Sequence, residues 1–182
     1  MDNKQFWSLI EESKDHEEQA EWLTEVLGER ELSEILDFEL HFQTLMNNSY
    51  QSSLWAAAYI LMGGCSDDAF DYFRGWLIGQ GEEVYQRVMD NPEFLAQYID
   101  EDNLDEEGFP QNEYILSSGF DAYTLNKTGD TEWNDELYDE FLEALDSKGL
   151  KPADDIELDW EEEDLEEMFP QLWNRFGEDP LG

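Results

Sequence analysis

Hydrophobic residues recur every three or four positions along most of this chain, the spacing that places them on one face of a helix. Phe6, Leu9 and Ile10 open the pattern, and longer stripes follow across residues 20–27 and 32–46. The alternation of hydrophobic and polar residues that is typical of strands is almost absent. The pattern therefore predicts an all-α fold, an irregular single-domain bundle of roughly eight to ten helices with little or no sheet.

Glycine and hydroxyl residues mark several of the predicted helix ends. Gly28 can stop the helix that precedes it, and another stripe runs into Gly63 and Gly64, where a glycine can adopt the left-handed conformation that ends helices. Ser66 predicts the start of the next helix, because its hydroxyl can accept a hydrogen bond from a free backbone amide. Further along, Thr131 is the expected cap of a helix with an apolar stripe over residues 133–145.

The most distinctive segment of the chain is residues 54–96, LWAAAYILMGGCSDDAFDYFRGWLIGQGEEVYQRVMDNPEFLA. Its order of aromatic residues, glycines and the elements SDD, FR, WLI and QG resembles the core signature of a bacterial family, domain of unknown function 4240. FWSLIEES, residues 6–13, and FPQLWNRFG, residues 169–177, are similar to other recurring pieces of that family. The resemblance implies a small helical bacterial protein, and it supplies no catalytic residues to transfer.

The composition favours one folded domain. A chain of 182 residues with 40% hydrophobic residues and seven Trp can bury enough apolar surface to fold without staples. We expect a single domain over residues 1–182, with a family-like helical core over 1–99 and an acidic helical part over 100–182. Cys65 is the only cysteine, which excludes an internal disulfide and a multi-thiolate zinc site and fits a reducing compartment.

The net charge says more about the possible binding partners than any motif in the chain does. The chain has 48 acidic residues and 9 Lys and Arg, a net charge of −39. Such a surface repels phosphate backbones and anionic lipid headgroups, which argues against direct binding to nucleic acid or to a membrane. The sequence has no basic leader and no uninterrupted apolar run of membrane-spanning length, so the predicted location is cytoplasmic. Positively charged proteins are the expected partners.

The acidic residues are concentrated in the second part of the chain. Their densest run is DDIELDWEEEDLEE, residues 154–167, in which hydrophobic residues interrupt the carboxylates and a weak extended segment is expected at 156–158. A second run, residues 100–108, is predicted to be an exposed loop. Trp160 is the expected anchor for a partner, because Trp is enriched at binding hot spots. The predicted partner-binding residues are Asp154, Asp155, Glu157, Asp159, Trp160, Glu161, Glu162, Glu163, Asp164, Asp100, Glu101, Asp102, Asp105, Glu106 and Glu107.

No recognisable catalytic, cofactor or metal motif is present. The acidic run from residue 100 fails the calcium-loop pattern, since Leu104 and Asp105 stand where an oxygen ligand and a glycine are required. His16 and His41 lie in no zinc-binding or catalytic motif. The sequence also lacks a nucleophile elbow, a phosphate-binding loop and a dinucleotide fingerprint. We therefore predict no catalytic residues, no metal and no cofactor.

These observations favour a bacterial immunity protein, or antitoxin, that binds a basic toxin domain or enzyme and blocks its active site. Many such enzymes act on polyanions, so their substrate sites are cationic and attract an acidic surface. One alternative is a DNA-mimic protein that binds a DNA-binding protein. Others are a small carboxylate-based enzyme of unknown reaction, and a structural or regulatory protein whose charge serves only solubility.

Overall fold

The computed structural model covers residues 1–182, and the chain forms eleven α-helices and no β-strand. The helices are α1 (Asn3–Ser13), α2 (Gln19–Gly28), α3 (Leu32–Ser49), α4 (Ser52–Met62), α5 (Asp67–Gly79), α6 (Glu82–Asp90), α7 (Leu95–Tyr98), α8 (Ser118–Thr128), α9 (Asp135–Ser147), α10 (Leu165–Met168) and α11 (Pro170–Leu172). Eight of them have nine or more residues, and the all-α prediction is confirmed. None combines the length and the apolar character that a bilayer-spanning helix requires.

Thirty-six buried hydrophobic residues form one continuous core. Its aromatic centre includes Phe6, Phe38 and Phe70, all fully shielded from solvent, with the Phe6 and Phe38 ring centroids 5.0 Å apart. α4 is enclosed on most sides, and its alanines at 56–58 let neighbouring helices approach closely. Burying one large apolar side chain contributes about 1.5–3 kcal/mol, so this core can hold together a chain whose surface charges repel one another.

Two helix boundaries in the signature segment lie where the sequence predicts them. α4 ends at Gly63, which has the left-handed conformation with φ of 64°. α5 begins after Ser66, whose hydroxyl accepts a hydrogen bond from the Ala69 amide at 3.2 Å. The acidic first turn of α5 complements the positive end of the helix dipole. Local chemistry is therefore enough to fix this turn.

The predicted start of α9 is wrong. The cap is Asn134 rather than Thr131, since the Asn134 side chain accepts from the Leu137 amide at 3.0 Å. Asn caps a helix at least as well as Thr does, and here Asp135 follows it in the first turn, where an acid is favourable. Trp133 consequently lies outside the helix and not within its buried stripe.

α8, which belongs to the part expected over residues 100–182, packs directly onto the family-like core. α8 lies along α2 and also contacts α3. The Asn126 side-chain amide on α8 donates to the carbonyl oxygens of Gly28 and Arg30, at 2.8 and 2.9 Å. The single domain expected over residues 1–182 stays a prediction, and these contacts join its family-like core over 1–99 to the part over 100–182.

The few basic side chains are mostly paired within the molecule. Six of the nine Lys and Arg lie within 4.0 Å of a carboxylate oxygen: Lys14, Arg30, Arg74, Arg87, Lys127 and Lys148. Arg74 is buried, pairs with Asp71 and donates to the Met46 carbonyl oxygen at 2.6 Å. The surface therefore offers many carboxylates and very few free cations.

Candidate partner-binding surface

The densest acidic run forms a strap that connects α9 to α10. We call residues 151–164 the acidic strap. Residues 151–161 have neither helix nor strand, and a short 3₁₀ turn, Glu162–Asp164, ends the segment. The extended segment expected at 156–158 forms no strand. The strap therefore depends on side-chain contacts for its position.

Those contacts hold the acidic strap across the corner between α3 and α4. Ser52, the first residue of α4, donates its hydroxyl to the Asp159 carboxylate at 2.5 Å and accepts from the Asp159 amide at 3.2 Å. The Trp160 indole N–H donates to the Ser52 carbonyl oxygen at 2.8 Å. Near the start of the strap, the Asn47 amide donates to the Lys151 carbonyl oxygen at 2.7 Å. Both ends are fixed to the helical core.

Trp160 is engaged within the molecule. Its side chain is half-buried and meets the Tyr59 ring edge-on, with centroids 5.5 Å apart and an interplanar angle of 64°. The Tyr59 hydroxyl donates to Glu162, and this hydrogen bond raises the pKa of Tyr59. The role expected for Trp160 as a partner anchor stays a prediction, and its observed contacts dock the acidic strap on α4.

The carboxylates of the acidic strap face solvent. All eight are exposed and none forms an ion pair: Asp154, Asp155, Glu157, Asp159, Glu161, Glu162, Glu163 and Asp164. Leu158 is 49% exposed in their midst. The sequence analysis did not include this leucine among the site residues. The only feature that could have identified it is its apolar side chain between two acids. The strap thus presents a fixed row of carboxylates around one accessible hydrophobic side chain.

The second predicted patch is residues 100–107, which we call the acidic loop. Two of its carboxylates accept hydrogen bonds from nearby backbone amides. The Asp100 carboxylate accepts from the Asp102 amide at 3.0 Å and caps a 3₁₀ turn. The Asp105 carboxylate accepts from the amides of Glu107 and Phe109, at 3.0 and 2.8 Å. Asp105 is half-exposed, and the other predicted side chains of the loop are exposed: Asp100, Glu101, Asp102, Glu106 and Glu107.

Two open surface grooves lie outside these carboxylates. The larger, an open groove of about 860 Å³, is lined by Ala96, Gln97, Pro170, Gln171, Asn174 and Arg175. The smaller, of about 220 Å³, lies where His16 stacks on Trp22 at 4.7 Å among four glutamates of the α2 region. No three His, Cys, Asp or Glu side chains come together in a way that could hold a metal ion. The exposed acids of the strap and loop thus lie on open surface outside both grooves.

A further exposed aromatic residue was not expected from the sequence. Trp133 is 64% exposed just before α9, with its ring centroid 4.8 Å from that of Tyr138. Because the predicted helix has its cap at Thr131 and an apolar stripe over residues 133–145, Trp133 was expected within the buried stripe. The acids on both sides of Trp133, among them Glu132 and Asp135, were the feature of the sequence that could have indicated its exposure.

Comparison with known proteins gives one finding. A family model described as "Protein of unknown function (DUF4240)" matches residues 1–125. The match includes the signature segment 54–96 and the opening segment 6–13, while the similar piece at 169–177 lies beyond it. No curated protein and no solved structure matches the chain. The acidic strap and α9 both lie outside the matched residues.

Proposed function

This chain belongs to the DUF4240 family, whose description states no activity, and from that premise we propose a function based on the chain's own surface. We infer that it is a non-catalytic, cytoplasmic bacterial immunity protein. Its partner is a positively charged toxin domain or enzyme, and it acts by covering the active site of that partner. The acidic strap, with the acidic loop as a second contact, is the inhibitory surface.

The observation that carries this proposal is the row of unpaired carboxylates on a fixed backbone. Eight exposed acids follow one another over residues 154–164, and contacts with Ser52 and Tyr59 hold the strap against α4. An enzyme that binds a polyanion presents a cationic cleft. Because the strap is already held in place, its carboxylates can enter such a cleft without the entropy cost of ordering a disordered tail.

Charge and shape have different roles in such a complex. Long-range attraction between a surface of net charge −39 and a basic partner raises the association rate, to about 10⁸ M⁻¹s⁻¹ or more at low salt. Any acidic surface would attract bases in this way. Selection of one partner therefore requires close contacts, which the exposed side chain of Leu158 can supply at the centre of the strap.

The test compares two variants of equal charge. The strap variant replaces five exposed acids that form no ion pair: Asp154→Asn, Asp155→Asn, Glu157→Gln, Glu161→Gln and Glu163→Gln. The control variant replaces five exposed acids around α2: Glu17→Gln, Glu18→Gln, Glu21→Gln, Glu25→Gln and Glu29→Gln. The partner is captured at low and at high salt with the unmodified protein, and its association with each variant is followed by stopped flow.

We expect the strap variant to associate about 10–100 times more slowly than the unmodified protein, with a flatter salt dependence. The control variant should lose much less, because its charges are not part of the proposed interface. Equal loss in the two variants would mean that the strap is not the interface. A captured partner whose enzymatic activity is unaffected by this protein would contradict the inhibitory function itself.

A further inference from the structure

An apolar surface lies open on one side of α9. We call Trp133, Tyr138 and Leu142 the α9 aromatic patch. Trp133 is 64% exposed and Leu142 is 44% exposed, while Tyr138 is half-buried between them. Residues 138 and 142 are one helical turn apart and share a face, and the Trp133 ring packs on Tyr138 with centroids 4.8 Å apart. The three side chains therefore form one continuous strip.

The exposed indole of this patch is held in place. Its N–H donates to the Asp135 carboxylate at 2.7 Å. The ring also meets the edge of buried Phe120, with centroids 5.2 Å apart and an interplanar angle of 64°. A large side chain that is exposed yet already ordered loses little conformational entropy when it is covered, which is typical of a binding anchor.

The helix that carries the patch is itself rigidly mounted. Phe141 and Leu145 point into the core, each 2% exposed. On another side, Glu140 accepts from the Tyr123 hydroxyl and pairs with Lys127, both on α8. The patch is thus a pre-formed surface and not a flexible edge.

Carboxylates border the patch on its solvent side. Asp135, Asp139 and Asp146 follow one another at spacings of four and seven residues, which places them along one face of α9 beside Tyr138 and Leu142. All three are exposed and none pairs with a base. The surface combines an apolar strip with a parallel row of negative charges, and its complement is a segment with apolar side chains next to a row of positive ones.

We propose that the α9 aromatic patch docks an arginine-bearing amphipathic helix of the partner, an inference that rests on the proposed function. An arginine of that helix stacks its guanidinium on Trp133 while its neighbours pair with the aspartates, and a leucine-sized side chain covers Tyr138 and Leu142. α9 is about 20 Å long, so the patch and the acidic strap, which begins beyond the far end of α9, contact different parts of the partner.

The experiment uses the full chain and two synthetic helical peptides of identical charge as probes. One carries arginine and leucine along one face, and the other has alanine in place of every leucine. Binding is measured at about 0.15 M salt, where long-range attraction is screened beyond about 8 Å. Signals of the indole N–H groups and of the α9 backbone amides are followed by NMR.

We expect the leucine peptide to move the Trp133 indole signal and to bind about tenfold more weakly to Trp133→Ala, and the alanine peptide, which keeps the arginines that stack on Trp133, to lose affinity in the same direction. Leu142→Gln changes a second exposed side chain and leaves the fold intact. It should also lower the affinity for the leucine peptide. Trp22→Ala is the matched control, because Trp22 is another partly exposed indole among glutamates.

Two results would overturn the inference separately from the proposed function. If the leucine peptide moves signals of the acidic strap and not of α9, or if Trp133→Ala changes affinity no more than Trp22→Ala does, the patch is not a docking surface, and the strap remains the proposed interface. If neither peptide binds, the patch does not dock an arginine-bearing helix, while the proposed function is tested separately by the capture and inhibition measurements described above.

Discussion

Glu39 is a carboxylate within the helical core. It lies on α3 and is only 5% exposed, with one hydrogen bond to it, donated by the Gln43 side-chain amide at 2.8 Å. Burial raises the pKa of Glu39 from 4.5 to about 7, and the charge of nearby Asp121 acts in the same direction. Near neutral pH this group is therefore close to the midpoint of its titration.

Glu39 should make its own contribution to the pH dependence of stability. Because its pKa is higher in the folded state, the folded state binds the proton more tightly; the resulting stability is complete below pH 4.5 and is lost as pH rises to about 7. Glu39→Gln should remove that loss and raise the free energy of unfolding at pH 8 by up to about 3 kcal/mol, with little gain at pH 4. Urea unfolding at both pH values measures the difference.

Glu25→Gln, on the exposed side of α2, is the control for a change of one charge. It should alter the free energy of unfolding by less than about 0.5 kcal/mol at either pH. A gain for Glu39→Gln that is the same at pH 4 and pH 8 would show that the carboxylate does not titrate in this range.

Residue by residue, the sequence predicted what depends on near neighbours. Ser66 was expected to cap α5 and does, since a cap needs only the amides of the next turn. Glu39 was missed although it occupies the helical stripe of Ile35, Phe42 and Met46, because a lone acid on an apolar stripe can equally bend out to solvent. Its enclosure comes from α8, a segment about eighty residues away in the chain.

Among the elements, α3 and α8 approach each other closely where α8 has a glycine. A Cβ atom added at Gly119 would overlap a carboxylate oxygen of Glu39. Gly119→Ala should therefore force that buried side chain to move and lower the free energy of unfolding by about 1–3 kcal/mol, as measured by urea unfolding.

The same change made in a Glu39→Ala background should cost much less, because the obstructing carboxylate is gone. This double-mutant cycle separates the steric effect from a general effect on the helix. Equal cost in both backgrounds would contradict the contact between Gly119 and Glu39.

The acidic strap is an element whose position depends on one aromatic residue. Trp160→Ala removes the indole hydrogen bond to Ser52 and the contact with Tyr59, so we expect a loss of about 1–2 kcal/mol in stability. We also expect faster cleavage within residues 151–161 by a protease specific for glutamate. Thermal unfolding and limited proteolysis provide the two measurements.

Leu158→Ala is the matched control in the acidic strap, since that side chain is 49% exposed. It should leave both the melting temperature and the cleavage rate close to those of the unmodified protein. If Trp160→Ala behaves like Leu158→Ala, the indole does not hold the strap in place.

Helices were predictable at the element scale, and the path of the acidic strap was not. Apolar periodicity is a local property, and it located the long helices with errors only at ends such as that of α9. The strap has no periodicity, and its place is set by contacts between Ser52 and Asp159, which are 107 positions apart. The sequence shows where acidic residues are concentrated, but it does not show which helices the acidic strap crosses.

For the whole molecule, charge repulsion should make stability rise with salt. The net charge of −39 is more crowded in the folded chain than in the unfolded one. Raising NaCl from about 0.01 to 0.5 M at pH 8 shortens the screening length from about 30 Å to a few ångströms. We expect the free energy of unfolding to increase by about 1–2 kcal/mol, which corresponds to a rise of roughly 2–8 °C in melting temperature for a chain of this size.

Calorimetry at several salt concentrations measures this rise. The five-residue strap variant described above has fewer charges to screen, so its melting temperature should rise less. A melting temperature that stays constant or falls with added NaCl would show that repulsion contributes little to the stability of this fold.

The internal pairing of most basic side chains has a consequence for concentrated solutions. A neighbouring copy finds few free cations with which to bridge, and each molecule keeps a dense cloud of sodium or potassium ions around it. Copies of this protein should therefore hold one another at a distance and raise the osmotic pressure above that of neutral spheres of equal size, so that crowding orders them without bringing them into contact.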